Sequence, residues 1–188
     1  MKEQTTRPKI GVMGSASDTL LPGELIRLAD LADRMGASIA ARDCVCVTGA
    51  TTGLPELVSR AVRNHGGMTI GISPATSMDD HVRRYRLPPD CADIIIFTGF
   101  GLKGRNVINI RSSDIVIIFG GAMGALNEFT IAYDEAKIIG VLEGSGGIAD
   151  HIRAIIGFTN KPTRAQIFFD QSAEALLDHC LKAFAAAD

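Results

Sequence analysis

The feature that most restricts how this 188-residue chain can fold is a run of five apolar residues, Ile115–Phe119, followed directly by Gly120 and Gly121. A short continuous apolar run is typical of a strand that is covered on both faces in a parallel sheet. The two glycines can adopt positive φ and let the backbone approach a ligand closely. The residues after them favour a helix, so this stretch predicts a strand, a glycine-rich turn and a helix.

The same alternation of apolar runs and helical patterns continues along the chain from Lys9. Strands are predicted near residues 9–13, 44–48, 68–73, 93–98, 137–142 and 166–169. Gly36 is expected to end the first helix, and residues 99–104 are expected to form a loop before a helix at 105–113. Repeated strand and helix units with right-handed crossovers give a mostly parallel sheet with helices on both faces. We therefore predict an α/β, doubly wound, Rossmann-like single domain over residues 9–188.

The composition, with 46% hydrophobic and 21% charged residues, is ordinary for a soluble globular domain. The net charge of -2 and the scattered arginines give no basic field for nucleic acid. Residues 1–8 are expected to be a disordered N-terminus, and they lack the apolar core of a signal peptide. No later apolar run reaches the length that spans a membrane. A cytoplasmic protein with neither nucleic acid nor membrane as a partner is therefore expected.

The cysteines and histidines are too dispersed to predict a disulfide or a metal site. Cys44 and Cys46 share one face of a predicted strand, whereas Cys91 and Cys180 stand alone, so buried thiols are expected. No two histidines have the spacing of metal ligands on one helix. We predict no metal site and no required cofactor.

Glycines gather at the predicted carboxyl ends of the strands, which is where doubly wound sheets bind their ligands. They occur in Gly14-Ser15, in Gly120-Gly121, and at Gly49, Gly99 and Gly144. One such turn need not bind anything, because glycine-rich turns are common between a strand and a helix. Five turns on one edge favour a shared explanation, which is access for a ligand.

Two of these turns are alike in sequence. Gly49–Gly53 is followed by Glu56 and Gly120–Gly124 by Glu128, so each precedes a helix with an acid near its start. We predict that the pair holds one extended ligand from two sides, with a phosphate on the free backbone N–H groups after Gly120. Neither turn is the G-x-G-x-x-G of dinucleotide-binding proteins or a P-loop, which argues against NAD and P-loop ATP.

The segment Gly121-Ala-Met-Gly-Ala-Leu-Asn-Glu128 resembles the Gly-Gly-x-Gly-Thr-x-x-Glu signature of the Lonely Guy (LOG) family. These are the cytokinin riboside 5′-monophosphate phosphoribohydrolases once misnamed lysine decarboxylases. Gly14-Ser15 and Gly49–Leu54 are similar to two further motifs of the family, and Arg105 precedes Asp114 by nine residues, as the family's catalytic arginine precedes its aspartate. The resemblance covers about residues 9–145.

Two other segments are more similar to the related molybdenum-cofactor carrier proteins, which share the fold and bind a phosphorylated pterin. They are Gly104–Asn106 and the turn Gly146–Asp150. The resemblance therefore implies a ligand that is either a nucleoside 5′-monophosphate or a molybdenum cofactor. It also implies a homodimer or higher homo-oligomer, for which the apolar helix at Phe129–Ala136 is the candidate surface.

The resemblance to the hydrolases implies that this chain cleaves an N-glycosidic bond, with Arg105 and Glu128 as the catalytic residues. Glu128 would stabilise the oxocarbenium-like state or orient water, and Arg105 would hold the ribose phosphate or its hydroxyls. The residues alone leave two other readings open, namely an acid favoured at a helix N-terminus and a solvated surface arginine. The predicted ligand and phosphate-binding residues are Gly14, Ser15, Gly49, Gly53, Gly99, Asn106, Gly120, Gly121, Ala122, Met123, Gly124 and Ala125.

Four positions depart from the LOG signature. Ala122 replaces a glycine, Ala125 the threonine whose hydroxyl could bind phosphate, Gly120 a proline and Asn106 a lysine. Loss of the hydroxyl removes one hydrogen bond to a charged group, roughly 1.5 to 3 kcal/mol. Binding is therefore expected to be better preserved than turnover. Three hypotheses follow: a phosphoribohydrolase, a non-catalytic carrier or sensor of a nucleotide or molybdenum cofactor, and a structural or interaction protein.

Overall fold

The computed structural model describes residues 6–16 and 22–187, which form a seven-stranded parallel sheet flanked by α-helices. The strands are β1 Lys9–Gly14, β2 Val45–Thr48, β3 Met68–Ser73, β4 Ile94–Phe97, β5 Ile115–Phe119, β6 Ile138–Leu142 and β7 Gln166–Asp170. The helices are α1 Pro22–Ala41, α2 Leu54–Asn64, α3 Met78–Arg83, α4 Gly101–Arg111, α5 Met123–Asp134, α6 Ile152–Thr159 and α7 Ala173–Ala185, with a 3-10 helix at Gly147–His151. The predicted α/β, Rossmann-like doubly wound fold is confirmed.

The central strands β2, β5 and β6 are buried on both faces because they alternate apolar side chains between two helical layers. Ile117 and Phe119 of β5 pack with residues of α1, α2 and α7, whereas Val116 and Ile118 pack with residues of α5 and α6. All residues of β5 are buried, as the continuous apolar run predicts. The four cysteines are free and buried, and burial raises the pKa of Cys46 to about 12, so these are unreactive core thiols.

The order of the strands sets where a ligand can bind. The chain builds outward from β1 through β2 and β3 to β4, then returns to β5 on the other side of β1 and continues to β6 and β7. Gly14, at the end of β1, is in register with Phe119 at the end of β5. In doubly wound sheets the crevice beyond such a reversal is the ligand site. The turn at Gly49 follows β2, one strand away.

Two predicted element boundaries are wrong, and both lie at glycines. Gly36 lies inside α1 and does not end it. A Cβ at that position would come within 2.4 Å of the Ala61 Cβ, so glycine is needed there for α1 and α2 to pack closely. The predicted loop 99–104 is shorter than expected, since α4 begins at Gly101. A glycine in a helical pattern predicts the end of the helix, but close packing between helices also selects glycine.

The domain begins before Lys9. The Arg7 guanidinium lies 2.7 Å from the Asp43 carboxylate, and the Pro8 carbonyl accepts a hydrogen bond from Val45 N at 2.9 Å. Arg7 and Pro8 are therefore anchored to the sheet, whereas a disordered N-terminus had been expected to extend through residue 8. Residues 1–5 of that segment lie outside the described residues.

None of the described helices is both long and apolar enough to cross a membrane.

Candidate functional site

A cavity of about 600 Å³ opens at the carboxyl ends of β1, β2 and β5, a volume suited to a small-molecule ligand. The predicted residues that line it are Gly14, Ser15, Gly49, Arg105, Asn106, Ala122, Gly124, Ala125 and Glu128. The predicted residues that do not line it are Gly53, Gly99, Gly120, Gly121 and Met123. The structure therefore brings both predicted catalytic side chains into one cavity with the start of α5.

Arg105 of α4 and Glu128 of α5 form a buried ion pair in this cavity. Arg105 Nη1 lies 3.3 Å from Glu128 Oε1, and the two residues are 7% and 6% exposed. The fully buried Asn109 donates from Nδ2 to the same oxygen at 3.4 Å. Asn106 contacts Asn127 at 2.8 Å, and with its amide turned over its nitrogen also donates to Glu128 Oε1 at 3.3 Å. Neither a solvated surface arginine nor a terminal helix acid describes this pair.

Glycine at position 49 makes room for Arg105. A Cβ on Gly49 would lie 1.9 Å from Arg105 Nη1, so the guanidinium rests against the backbone just beyond β2. Arg105 Nε is also buried, and it has no hydrogen-bond partner within the described part of the chain. An unsatisfied buried donor costs about 1 to 3 kcal/mol. Stability alone therefore does not account for this arginine.

The electrostatics of the cavity favour anions. Burial raises the pKa of the Glu128 carboxyl above its ordinary value, and Arg105, Asn109 and Lys103 oppose that rise only in part. Burial also lowers the pKa of Arg105, against the effect of Glu128, but a guanidinium stays charged in proteins. Lys103 and Arg86 also line the cavity, and Glu128 is the one acid among the lining residues described. The balance of charge is positive, which attracts negatively charged ligands.

The turn after β5 does not offer the amides of its two glycines to a ligand. Gly120 N donates to Ser145 Oγ at 2.9 Å, and Gly121 N donates to Ser15 Oγ at 2.7 Å. Gly121 O accepts a hydrogen bond from Ile148 N at 2.7 Å. The predicted role of Gly120 and Gly121 as phosphate donors is therefore corrected. Their amides fix the turn against the loops after β1 and β6.

The first turn of α5 supplies free amides instead. Its first helical hydrogen bond runs from Leu126 N to Ala122 O, which leaves the N–H groups of Met123, Gly124 and Ala125 without a partner inside the helix. No side chain caps this terminus among the described residues, and its first turn has no acid. Because Ala122, Gly124 and Ala125 line the cavity, the positive end of the helix dipole lies at its edge.

Several residues that line the cavity are not among the predicted site residues. They include Thr51, Thr52, Pro55, Tyr85, Arg86, Leu87, Leu102 and Lys103. Residues 85–87 contain no glycine, so the pattern of glycine-rich strand ends does not point to them. Chain order is the one feature of the sequence that could have indicated residues 85–87. They belong to the connection after β3, which starts on the same edge of the sheet as the turns after β1 and β2.

Other residues singled out in the sequence have structural contacts away from the cavity. Gly99 N donates to a carbonyl of the loop after β3 at 2.8 Å. Asp114 precedes β5 at its opposite end and accepts hydrogen bonds from Lys9 N at 2.9 Å and Lys9 Nζ at 2.7 Å. Asp150 accepts from Gly144 N at 2.7 Å and so closes its own turn. No cluster of His, Cys, Asp or Glu in residues 6–16 and 22–187 is arranged to hold a metal ion.

Comparison with known proteins agrees with this geometry. The sequence model of the SLOG cluster4 family matches residues 7–177. An uncharacterized protein of Archaeoglobus fulgidus is 34% identical over 135 residues, which cover 72% of this chain and 80% of that protein. The X-ray structure of a structural genomics target has a TM-score of 0.80 at 24% identity, covering 93% of this chain and 99% of the other.

The molybdenum cofactor binding protein of the phototrophic bacterium Rippkaea orientalis is also similar. Its structure has a TM-score of 0.75 at 29% identity, and the match covers 96% of this chain and 99% of that one. These findings confirm the resemblance to the LOG superfamily and its molybdenum-cofactor carrier branch, which the residues from Gly121 to Glu128 and around Arg105 had suggested.

A DNA-binding protein shares the fold as well. DNA processing protein A from Helicobacter pylori, whose structure concerns its binding of single-stranded DNA, has a TM-score of 0.61 at 17% identity. The match covers 95% of this chain and 82% of that protein. At this identity the likeness shows the fold alone. That nucleic acid is not a partner of the present chain stays a prediction.

Proposed function

This chain belongs to the SLOG cluster4 family, and on that premise we propose that its cavity binds a small phosphorylated ligand, either a nucleotide or a molybdenum cofactor. The observation that carries the proposal is that the uncapped N-terminus of α5 and the buried Arg105 meet at one cavity. Backbone N–H groups and guanidinium groups are the donors that suit phosphate oxygens. The similarity to a protein of Rippkaea orientalis that binds molybdenum cofactor supports the same class of ligand.

The phosphate would lie on the amides of Gly124 and Ala125, which have no partner inside the helix and belong to residues that line the cavity. Ser15 lines the cavity beside them, and its Oγ already accepts a hydrogen bond from Gly121 N. The hydroxyl proton of Ser15 is then available to donate to a phosphate oxygen. This hydroxyl can replace the threonine hydroxyl that Ala125 lacks relative to the LOG signature.

Glu128 favours a second candidate function, which is hydrolysis of the N-glycosidic bond of a nucleoside 5′-monophosphate. Its Oε1 is engaged by Arg105 and Asn109, whereas Oε2 has no hydrogen bond within the described residues. A carboxylate near the anomeric carbon stabilises an oxocarbenium-like state. The ion pair with Arg105 weakens that negative field, so binding without turnover is our first proposal.

Calorimetric titration with AMP, with adenosine as the control ligand, tests the binding proposal. AMP is expected to bind at least about tenfold more tightly than adenosine, since only AMP carries the phosphate. Equal affinities for the two ligands, or no binding of either one, would count against a phosphate site. The molybdenum content of protein isolated from cells, measured by mass spectrometry, separates a molybdenum cofactor from a nucleotide as the bound species.

Chromatography of the AMP incubation tests turnover. The carrier proposal expects no free adenine. Adenine release that disappears in Glu128→Gln, while AMP still binds to that variant, would establish the hydrolase instead. A release that persists in Glu128→Gln would assign it to a contaminating enzyme.

A further inference from the structure

We propose that Arg86 and Lys103, which both line the cavity, form a second anion subsite that selects ligands carrying a second phosphate. This inference rests on the proposed function, in which the first phosphate lies on the N-terminus of α5. It goes beyond that function because it names the class of ligand, one with two phosphate groups rather than one.

The charges of the residues that line the cavity are unbalanced. Arg86 and Lys103 both line the cavity, and neither has an ion-pair partner in the part of the chain that the structure describes. The neighbouring Arg83 and Arg84 differ, since each pairs with an acid of α3, at 2.8 and 3.7 Å. The one lining acid, Glu128, is already paired with a guanidinium. The two unpaired cations therefore leave net positive charge for a ligand to neutralise.

The backbone of Arg86 is strained. Its φ is +54°, in the left-handed region that side chains other than glycine rarely adopt. Strain of this kind persists only where the surroundings enforce it, and it is concentrated at ligand and active sites. A glycine would fit this position without strain, so the arginine side chain itself is the reason to look for a function here.

A buried histidine enforces the conformation. His81 is fully buried, its Nε2 donates to Pro88 O at 3.0 Å, and its Nδ1 shares a hydrogen bond of 2.8 Å with Ser73 Oγ at the end of β3. Leu87 N donates to His81 O at 3.1 Å. The residues after Arg86 are thus tied to the sheet through one side chain, which holds the arginine at the cavity wall. Arg86 is a ligand-binding candidate, and His81 is its positioning residue.

A ligand with two phosphates would bind both to the N-terminus of α5 and to the proposed subsite. Its first phosphate would accept hydrogen bonds from the α5 amides, and its second would pair with the guanidinium of Arg86 and the ammonium of Lys103. A cavity of about 600 Å³ has room for a nucleotide that carries both groups. The second phosphate could extend from the first, as in a nucleoside 5′-diphosphate, or lie on the ribose, as in a nucleoside 3′,5′-bisphosphate. The recognition chemistry is the same, and the two ligands are separate arms of the test.

Titrations with AMP, ADP and adenosine 3′,5′-bisphosphate at one ionic strength test the subsite. At least one of the two-phosphate ligands is expected to bind the wild-type protein about tenfold more tightly than AMP. In Arg86→Ala and in Lys103→Ala this ratio is expected to fall toward one. Arg83→Ala is the matched control, because Arg83 lies in the same connection, is paired with an acid and is not a lining residue. It should keep the wild-type ratio.

Arg86→Gly separates loss of binding from loss of folding. Because glycine tolerates a φ of +54°, this variant is expected to unfold at no lower denaturant concentration than wild type while it loses the tenfold ratio. If AMP binds but neither two-phosphate ligand binds more tightly, or if the Arg86 variants keep the ratio, the subsite is overturned and the proposed function stands. If none of the three ligands binds, the proposed function fails and the subsite fails with it.

Discussion

The turns after β2 and β5 lie on the same edge of the sheet, but their glycines do different things. After β2, Gly49 makes room for the Arg105 guanidinium, and Gly53, with a φ of 82°, is the N-cap of α2. The first amide of that helix, Leu54 N, donates to Ser15 O at 2.9 Å, and the next residue, Pro55, has no N–H. The N-terminus of α2 therefore has little left to offer an anion.

After β5 the arrangement is reversed. Gly120 and Gly121 use their amides on serine hydroxyls, and the helix that follows keeps its first-turn amides free. The acids differ in the same way, because Glu56 pairs with Arg60 near the surface whereas Glu128 pairs with Arg105 inside. A strand, a glycine turn and a helix thus do not make an anion site by themselves. The site depends on which amides the rest of the fold leaves unused.

The largest expected effect is a difference in the free energy of unfolding between variants of the two ion pairs, Arg105–Glu128 and Arg60–Glu56. Arg105→Met should lower the free energy of unfolding by about 3 to 5 kcal/mol at neutral pH, because it leaves the buried Glu128 without a counter-charge. Arg60→Met removes the exposed partner of Glu56 and should cost about 0.5 kcal/mol or less. Guanidinium chloride denaturation of both variants measures the difference. Similar losses would mean that the two acids are equivalent after all.

The deficit of Arg105→Met should also depend on pH. Burial raises the pKa of Glu128 and Arg105 opposes that rise, so the pKa is expected to rise further in the variant. A group with a raised folded-state pKa contributes stability below its unfolded-state pKa, about 4.3 for glutamate, and loses it as pH rises through the folded-state value. The variant should therefore be closer to wild type at pH 5 than at pH 8. An equal deficit at both values would contradict a buried charge as its cause.

A smaller difference in stability is expected between substitutions of Gly121, in the turn after β5, and Gly124, at the start of α5. Gly121 has a φ of 96°, and a Cβ there would lie 2.4 Å from the Ala125 Cβ, so Gly121→Ala should cost about 1 to 3 kcal/mol. Among the described residues, a Cβ on Gly124 would meet no atom within 4 Å, and Gly124→Ala should leave stability unchanged or raise it by up to about 1 kcal/mol. Denaturation midpoints of the two variants report the contrast. A destabilised Gly124→Ala would show that the start of α5 is not open.

The sequence predicted the parts of this molecule that follow from local pattern. The apolar run Ile115–Phe119 and the glycines after it identified a covered strand and the correct edge of the sheet. Arg105 and Glu128 came from a family resemblance, since the residues alone left a surface arginine and a helix-terminal acid open. Which amides stay free for a ligand could not be predicted, because this depends on contacts between distant parts of the chain. Gly120 N, for example, donates to Ser145 in a separate loop. Arg86 was missed for the same reason, since its place on the cavity wall is fixed by tertiary contacts.

The smallest expected effect is a loss of AMP affinity when Gly49, in the turn after β2, is replaced by alanine. An alanine Cβ at position 49 would lie 1.9 Å from Arg105 Nη1, so Gly49→Ala must displace the guanidinium, which is the flexible end of a long side chain. AMP affinity should fall about tenfold, equal to roughly 1.4 kcal/mol. Gly23→Ala is the matched control, because a Cβ on Gly23 in α1 would meet no atom of the described residues within 4 Å and AMP affinity should not change. If Gly49→Ala bound AMP as the wild-type protein does, the glycine after β2 would not be there for Arg105, and the contrast between the two turns would be lost.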